Sequence, residues 1–125
     1  MKINAIIQDL KTKNEGYKNI YFEILKRDDD FLRRKIEKGE KYKSIKGMIN
    51  PLNQTALAEA QRNLKNEAIG LLIGLKVRAP EIENVIDNYK AIPNHEKRYS
   101  LGIDNLINEI NKDLDTLKNI DFISV

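Results

Sequence analysis

Residues 66–86 read NEAIGLLIGLKVRAPEIENVI, and the interpretation of this stretch decides the fold. It holds the most apolar run of the chain, Ala68 to Leu75, two glycines four residues apart, Gly70 and Gly74, and then Pro80. A membrane segment, a phosphate-binding loop and a turn between packed helices are the three readings to separate. The apolar run falls far short of the roughly 20 residues that span a bilayer. The Gly-x-x-x-Gly spacing signals helix pairing only inside an apolar segment of that length. No strand precedes the glycines, as a phosphate loop requires. What remains is a helix that turns at Val77–Pro80 into a second helix, with Pro80 in the first turn, where its missing N–H costs nothing. The glycines are then expected to let a neighbouring helix approach closely, at about 1 kcal/mol each in helix propensity.

Upstream, the helical period continues. Leu57, Ala60, Leu64, Ala68, Leu71, Leu72 and Leu75 form one stripe of a helix expected from about Gln54 to Val77, with Glu59, Arg62, Asn63, Asn66 and Lys76 on its polar side. Gly47 to Thr55 reads as the clearest loop, with Pro51 in it and Asn53 and Thr55 as capping candidates. Before it, Ile3, Ile6, Ile7 and Leu10 mark one helix, and Tyr17, Ile20, Tyr21, Ile24 and Leu25 another, with a break expected at Asn14–Gly16. Asp28 to Asp30 suit the N-terminus of a further helix through Leu32 and Ile36, and Tyr42, Ile45 and Ile49 continue the pattern after Gly39.

Downstream, Ile82, Val85, Ile86 and Tyr89 mark a short amphipathic helix. Pro93–Asn94 then cap a last one, carrying Tyr99, Ile103, Leu106, Ile107, Ile110, Leu114 and Leu117, long enough to bend or split near Asn111. Only the last five residues, DFISV, resemble a strand. Six or seven helices joined by short connections imply antiparallel neighbours. The expected class is all-α in one domain over residues 1–125: basic N-terminal helices over 1–50, then helix pairs over 54–120.

Composition agrees. With 41% hydrophobic and 33% charged residues, three prolines and six glycines, the profile is that of a soluble helical domain. The chain has no cysteine, which excludes disulfide and thiolate chemistry and fits a reducing, cytoplasmic setting. The start, MKINAIIQDLKTKN, lacks the continuous apolar core of a signal peptide, and no segment is expected to insert in a membrane. Net charge is +3 but uneven: residues 1–50 carry 13 Lys/Arg against 8 Asp/Glu, and residues 51–125 carry 9 against 11. Such a polar molecule differs from a uniformly basic nucleic-acid binder.

Residues suited to catalysis are few. His95, the sole histidine, sits beside Glu96 in the PNHEK connection, where a solvated helix start explains it. No Glu-x-x-His pair exists for a bundle metal site. The run Arg27–Asp30 lacks the spaced ligands and turn glycine of a calcium loop. Ser44, Ser100 and Ser124 have neither a nucleophile elbow nor a nearby base. No catalytic residue, metal or cofactor is therefore expected. A basic stripe does stand out: Arg33, Arg34, Lys35, Lys38, Lys41, Lys43 and Lys46, with Tyr42 among them, could neutralise phosphates. Glu37 and Glu40 interrupt it, and Arg33–Glu37 and Glu37–Lys41 are i, i+4 pairs of an ordinary solvated helix.

The order of elements from residue 54 onward, a long helix, a Pro-led short helix, a charged break and a helix preceded by Arg98, resembles a HEAT-type repeat. More narrowly, Glu67, Ala68, Leu71, Leu72, Leu75, Ile82, Arg98, Leu101, Asp104 and Leu106 resemble the pattern of the helical repeat domain attached to some bacterial transporters of the ADP/ATP-carrier type. The likeness covers roughly residues 60–110. It implies a short array of antiparallel helix pairs, either a HEAT-like superhelix or an irregular helical bundle, whose exposed faces bind other proteins. The expected function is thus a non-enzymatic interaction or scaffold module for a protein partner. Its candidate surface is Glu59, Arg62, Arg78, Glu81, Glu83 and Asp87, where charges of both signs mix. The alternative is a small nucleic-acid-binding regulator of the kind mobile elements encode, using the Arg33–Lys46 stripe.

Overall fold

The computed structural model describes residues 3–39, 50–92 and 102–119. Among these residues the chain is all-α: α1 (Ile3–Glu37), α2 (Pro51–Ile73), α3 (Pro80–Lys90) and α4 (Ile103–Leu117). The four pack as a closed ring, α1 on α2, α2 on α3, α3 on α4 and α4 back on α1. Cross-helix bonds give the directions. Lys13 meets Glu67 while Asp28 meets Asn53, so α1 and α2 run antiparallel. Asn14 meets Asn111 and Lys18 meets Asp104, which makes α4 antiparallel to α1. Of the two forms expected, array or bundle, these residues adopt the antiparallel bundle.

The core is one cluster in which Leu10, Ala68, Val85, Tyr89, Ile107, Ile110, Leu114 and Leu117 are wholly excluded from solvent. The expected packing of the second half is present. Leu64, Ala68, Leu72, Leu75, Ile82 and Ile103 are buried, while Leu71, Ile86 and Leu106 are partly buried against them. Glu59, Arg62, Asn63, Asn66 and Lys76 face solvent.

Several expected boundaries move. No break occurs at Asn14–Gly16, and no helix begins at Asp28–Asp30: α1 runs unbroken for 35 residues, roughly 50 Å at 1.5 Å per residue. Its buried positions explain this. Ile7, Leu10, Asn14, Tyr17, Tyr21, Ile24, Asp28 and Leu32 keep one phase, with Asn14 and Asp28 as members of the buried stripe. One glycine costs about 1 kcal/mol in a helix, which packing on two neighbours outweighs.

The α2 N-cap is Asn50, whose side chain accepts from the Leu52 N–H, with Pro51 at the first position, so the helix starts before the expected Gln54. Asn53 is buried, and the Thr55 hydroxyl donates back to the Pro51 carbonyl, so neither caps. The helix ends at Ile73 with Gly74 as C-cap. A Cβ on Gly70 would meet nothing within 4 Å, and one on Gly74 would meet only carbonyls of its own helix. Neither glycine admits a neighbouring helix. The turn to α3 passes through Lys76 in the left-handed region, φ 54°, and Pro80 opens α3 as expected. Gly102, at φ 94°, precedes α4, a conformation that favours glycine. α4 passes straight through Asn111. The expected features at Lys41–Ile49, Pro93–Leu101 and Asp121–Val125 lie outside the described residues.

Candidate interaction surfaces

The candidate protein surface is exposed throughout but divides into two groups. Glu59 and Arg62 lie on the outer side of α2, lining an open depression of about 330 Å³ with Gln54, Thr55 and Ala58. Arg78 precedes α3, Glu81 and Glu83 occupy its first turn, and Asp87 follows one turn later. The two glutamates sit where a helix favours negative charge. The α2–α3 register keeps the groups apart. Gln61 Nε2 donates to the Ile92 carbonyl at 3.1 Å, and Lys65 Nζ reaches the Lys90 carbonyl at 3.4 Å. Glu59 therefore lies level with the end of α3 and Glu81 with its start, roughly 15–20 Å apart along the axis at 1.5 Å per residue. Lys65 thus closes the α3 C-terminus, and desolvation lowers its pKa.

Among the described residues of the basic stripe, Arg33, Arg34, Lys35 and Lys38, the cations do not share one face. Arg33, Arg34 and Lys35 are consecutive on α1 and fan around it in steps of about 100°. The Arg33 guanidinium bonds Asp30 at 3.1 Å, and Lys35 Nζ stands 5.2 Å from the Phe31 ring centre. Arg34 turns instead towards a depression of about 240 Å³ that it shares with Arg27, Phe31, Asn50 and Asn53. Lys38 follows the helix; Lys41, Lys43 and Lys46 lie outside the described residues, as does His95. Among the described residues no group of His, Cys, Asp and Glu side chains could hold a metal ion, and no helix is long and apolar enough to cross a membrane.

Reading apolar periodicity alone misses a set of polar side chains in the core. The Tyr89 hydroxyl donates to Asn14 Oδ1 at 2.8 Å, and Asn14 Nδ2 donates to Asn111 Oδ1 at 2.8 Å, linking α3, α1 and α4. Burial raises the Tyr89 pKa to about 12, against the opposing effect of its bond to Asn14. Burial, with Tyr21 adding to it, drives Tyr17 higher still. Asp28, fully buried, accepts from the Asn50 N–H at 2.9 Å and from Asn53 Nδ2 at 3.2 Å. These bonds orient the helices; the chemistry of an amide, a phenol and a capped carboxylate asks for no ligand. Their signal in the sequence is phase: Asn14 and Asp28 stand where the next apolar residue is due.

Around this core, surface ion pairs join α1 to its neighbours. Lys11 bonds Asp115, Lys13 bonds Glu67 at 2.8 Å and Lys18 bonds Asp104 at 3.1 Å. The bond to Glu67 holds the Lys13 pKa above its ordinary value, and that to Lys11 holds Asp115 below its own. Between α1 and α2 runs a groove of about 210 Å³, with Gly16, Tyr17 and Ile20 on one side and Ala60 and Leu64 on the other. Comparison with protein-family models, with curated proteins and with solved structures finds no match.

Proposed function

We propose that the chain is a non-enzymatic helical interaction module that binds a protein partner in the cytoplasm. The observation that carries this reading is the division of α3. Ile82, Val85 and Tyr89 are locked in the core, while Glu81, Glu83 and Asp87 stand exposed beside Arg78. A surface so anchored offers both charge signs without any need to unfold, and charge complementarity sets specificity and association rate more than raw affinity. The likeness to a transporter-associated repeat domain contributes only the class of role, a helical module docking on other proteins.

The test is capture of a cross-linked protein from cell extract by the wild type and by charge-reversal variants. Glu81→Lys combined with Glu83→Lys is expected to lose the captured protein while helical content holds, and His95→Ala to retain it. The double variant's stability should fall by about 1–2 kcal/mol, the cost of reversing two charges that the α3 N-terminus favours. Retention by the double variant would move the partner off this surface.

A second reading rests on Arg27, Phe31 and Arg34, which line one depression together with Asp30: two guanidiniums and a ring suit a phosphate with a stacked base, and the Asp30 carboxylate opposes it. Titration with labelled single-stranded and duplex DNA decides between them. Non-specific binders reach dissociation constants of about 10⁻⁴–10⁻⁶ M at physiological salt, with steep salt dependence. Binding of that kind, lost on reversing Arg33, Arg34 and Lys38, would replace the protein-partner reading.

A further inference from the structure

One face of α1 belongs neither to the core nor to the partner surface on α2 and α3. Asp9, Lys13, Gly16, Ile20, Glu23 and Arg27 follow one another at alternating steps of four and three residues, the spacing of a coiled-coil seam. Such spacing keeps all six within a narrow stripe, about 27 Å long at 1.5 Å per residue. The Asp9, Glu23 and Arg27 side chains are 53%, 66% and 59% exposed. At its centre stand a hole and a knob. A Cβ on Gly16 would meet nothing within 4 Å, and Ile20, one turn on, is 44% exposed, beside the groove that α1 shares with Ala60 and Leu64.

We infer that this stripe is a self-complementary docking surface whose occupant is the same stripe of a second copy, laid antiparallel. A two-fold axis crossing midway between Gly16 and Ile20 places Ile20 of each copy over Gly16 of the other. The same operation sets Lys13 opposite Glu23 and Asp9 opposite Arg27, so every charge on the stripe meets its opposite. Other registers lose this match. A parallel copy in register sets Asp9 on Asp9 and Lys13 on Lys13, and an antiparallel copy centred on Ile20 sets Lys13 on Arg27. Like charges brought together select against both. The contact is isologous, as a two-fold dimer requires. Among the described residues the same charges pair along the helix, Lys13 with Asp9 at 3.9 Å and Arg27 with Glu23 at 3.3 Å, or across to α2, Lys13 with Glu67.

This inference does not depend on the partner surface proposed above, and its test needs no partner. Sedimentation equilibrium of the full chain from about 10 μM to about 1 mM covers the range of small, transient interfaces. The wild type is expected to pass from the mass of one chain to that of two. Ile20→Glu should stay at one across the range. Gly16→Leu fills the hole and should also stay at one, yet its thermal midpoint should rise, because a helical glycine has been replaced at an open site. That combination separates lost docking from lost folding. The two-fold axis makes the Asp9–Arg27 pair twice, so Asp9→Lys or Arg27→Glu alone should weaken the dimer about two- to thirtyfold, the range of two exposed charge pairs, and the two combined should restore it. A wild type that stays at one chain at about 1 mM, where even weak interfaces associate, would overturn the inference. So would a dimer that survives Ile20→Glu, or a double charge swap weaker than either single change.

Discussion

The two halves of α1 are one helix in two environments. From Ile7 to Tyr21 it is held from two sides, by α2 through Lys13–Glu67 and by α4 through Lys11, Asn14 and Lys18, and Tyr89 of α3 reaches Asn14 from within. Beyond Ile24 its described cross-helix hydrogen bonds run only to the start of α2, from Asp28 to Asn50 and Asn53. The inner half buries neutral amides whose bonds span three helices. The outer half buries a carboxylate placed at the first turn of another helix, where negative charge is favoured. A long helix thus need not be uniformly stable. Its inner half shares the stability of the whole bundle, and the described joint of its outer half is the one that Asp28 makes with the start of α2.

Paired truncations should expose this difference most strongly. Leu10 is fully buried inside the continuous core, whereas Leu32, 4% exposed, lies outside that cluster. Chemical denaturation of Leu10→Ala is expected to show a loss near the top of the usual 2–5 kcal/mol range for a buried leucine, and Leu32→Ala a loss of about 2 kcal/mol. Equal losses would mean that both halves unfold as one unit of equal weight.

This contrast was only partly legible in the sequence. The apolar stripes of α2 and α4 could be read directly, because Leu, Ile and Ala hold the period without interruption from Leu64 to Leu72 and from Ile103 to Leu117. The length of α1 could not, because Asn14 and Asp28 look like punctuation in a list of apolar residues. Polar residues favour turns and caps when their bonds are local; here the partners are 97, 75, 22 and 25 residues away. Gly70 misled in the opposite way, since an exposed helical glycine has no contact that the sequence could announce. The candidate surface residues are exposed. Their separation into two groups follows from the α2–α3 register, which a single sequence does not carry.

The inner half should also show itself in alkali. Burial raises Tyr89 from 10.0 to about 12, so the folded state holds the phenol proton more tightly than the unfolded chain. Its contribution is complete below about pH 10 and is lost as pH rises to about 12, at most about 3 kcal/mol. Tyr17 and Lys13, both raised, act in the same direction, and Lys65, lowered, opposes them. Denaturation midpoints measured from pH 9 to about 12 should therefore fall, and Tyr89→Phe should flatten that fall. At neutral pH the variant should lose about 1 kcal/mol for the missing bond to Asn14. An unchanged slope in Tyr89→Phe would assign the alkaline loss to Tyr17 and Lys13.

The joint in the outer half gives the smallest and most local effect. Asp28→Ala leaves the Asn50 N–H and Asn53 Nδ2 without their acceptor, and Asn53 is only 9% exposed, so water replaces the carboxylate poorly there. The expected cost is about 1–3 kcal/mol. Asp28→Asn keeps an acceptor oxygen in the same place but gives up the charge that the α2 N-terminus favours, and should lose about 0.3–1 kcal/mol. Hydrogen exchange tells where the loss falls. In Asp28→Ala, the amides of the first two turns of α2 and those after Ile24 in α1 should exchange faster. Amides from Ile7 to Tyr21 and from Ile103 to Leu117 should keep their protection, because none of their described bonds passes through Asp28. Faster exchange throughout the bundle would erase the distinction between the halves. A change confined to the outer half would sharpen it, making Asp28 a link between the start of α2 and the far end of α1 whose loss the core does not feel.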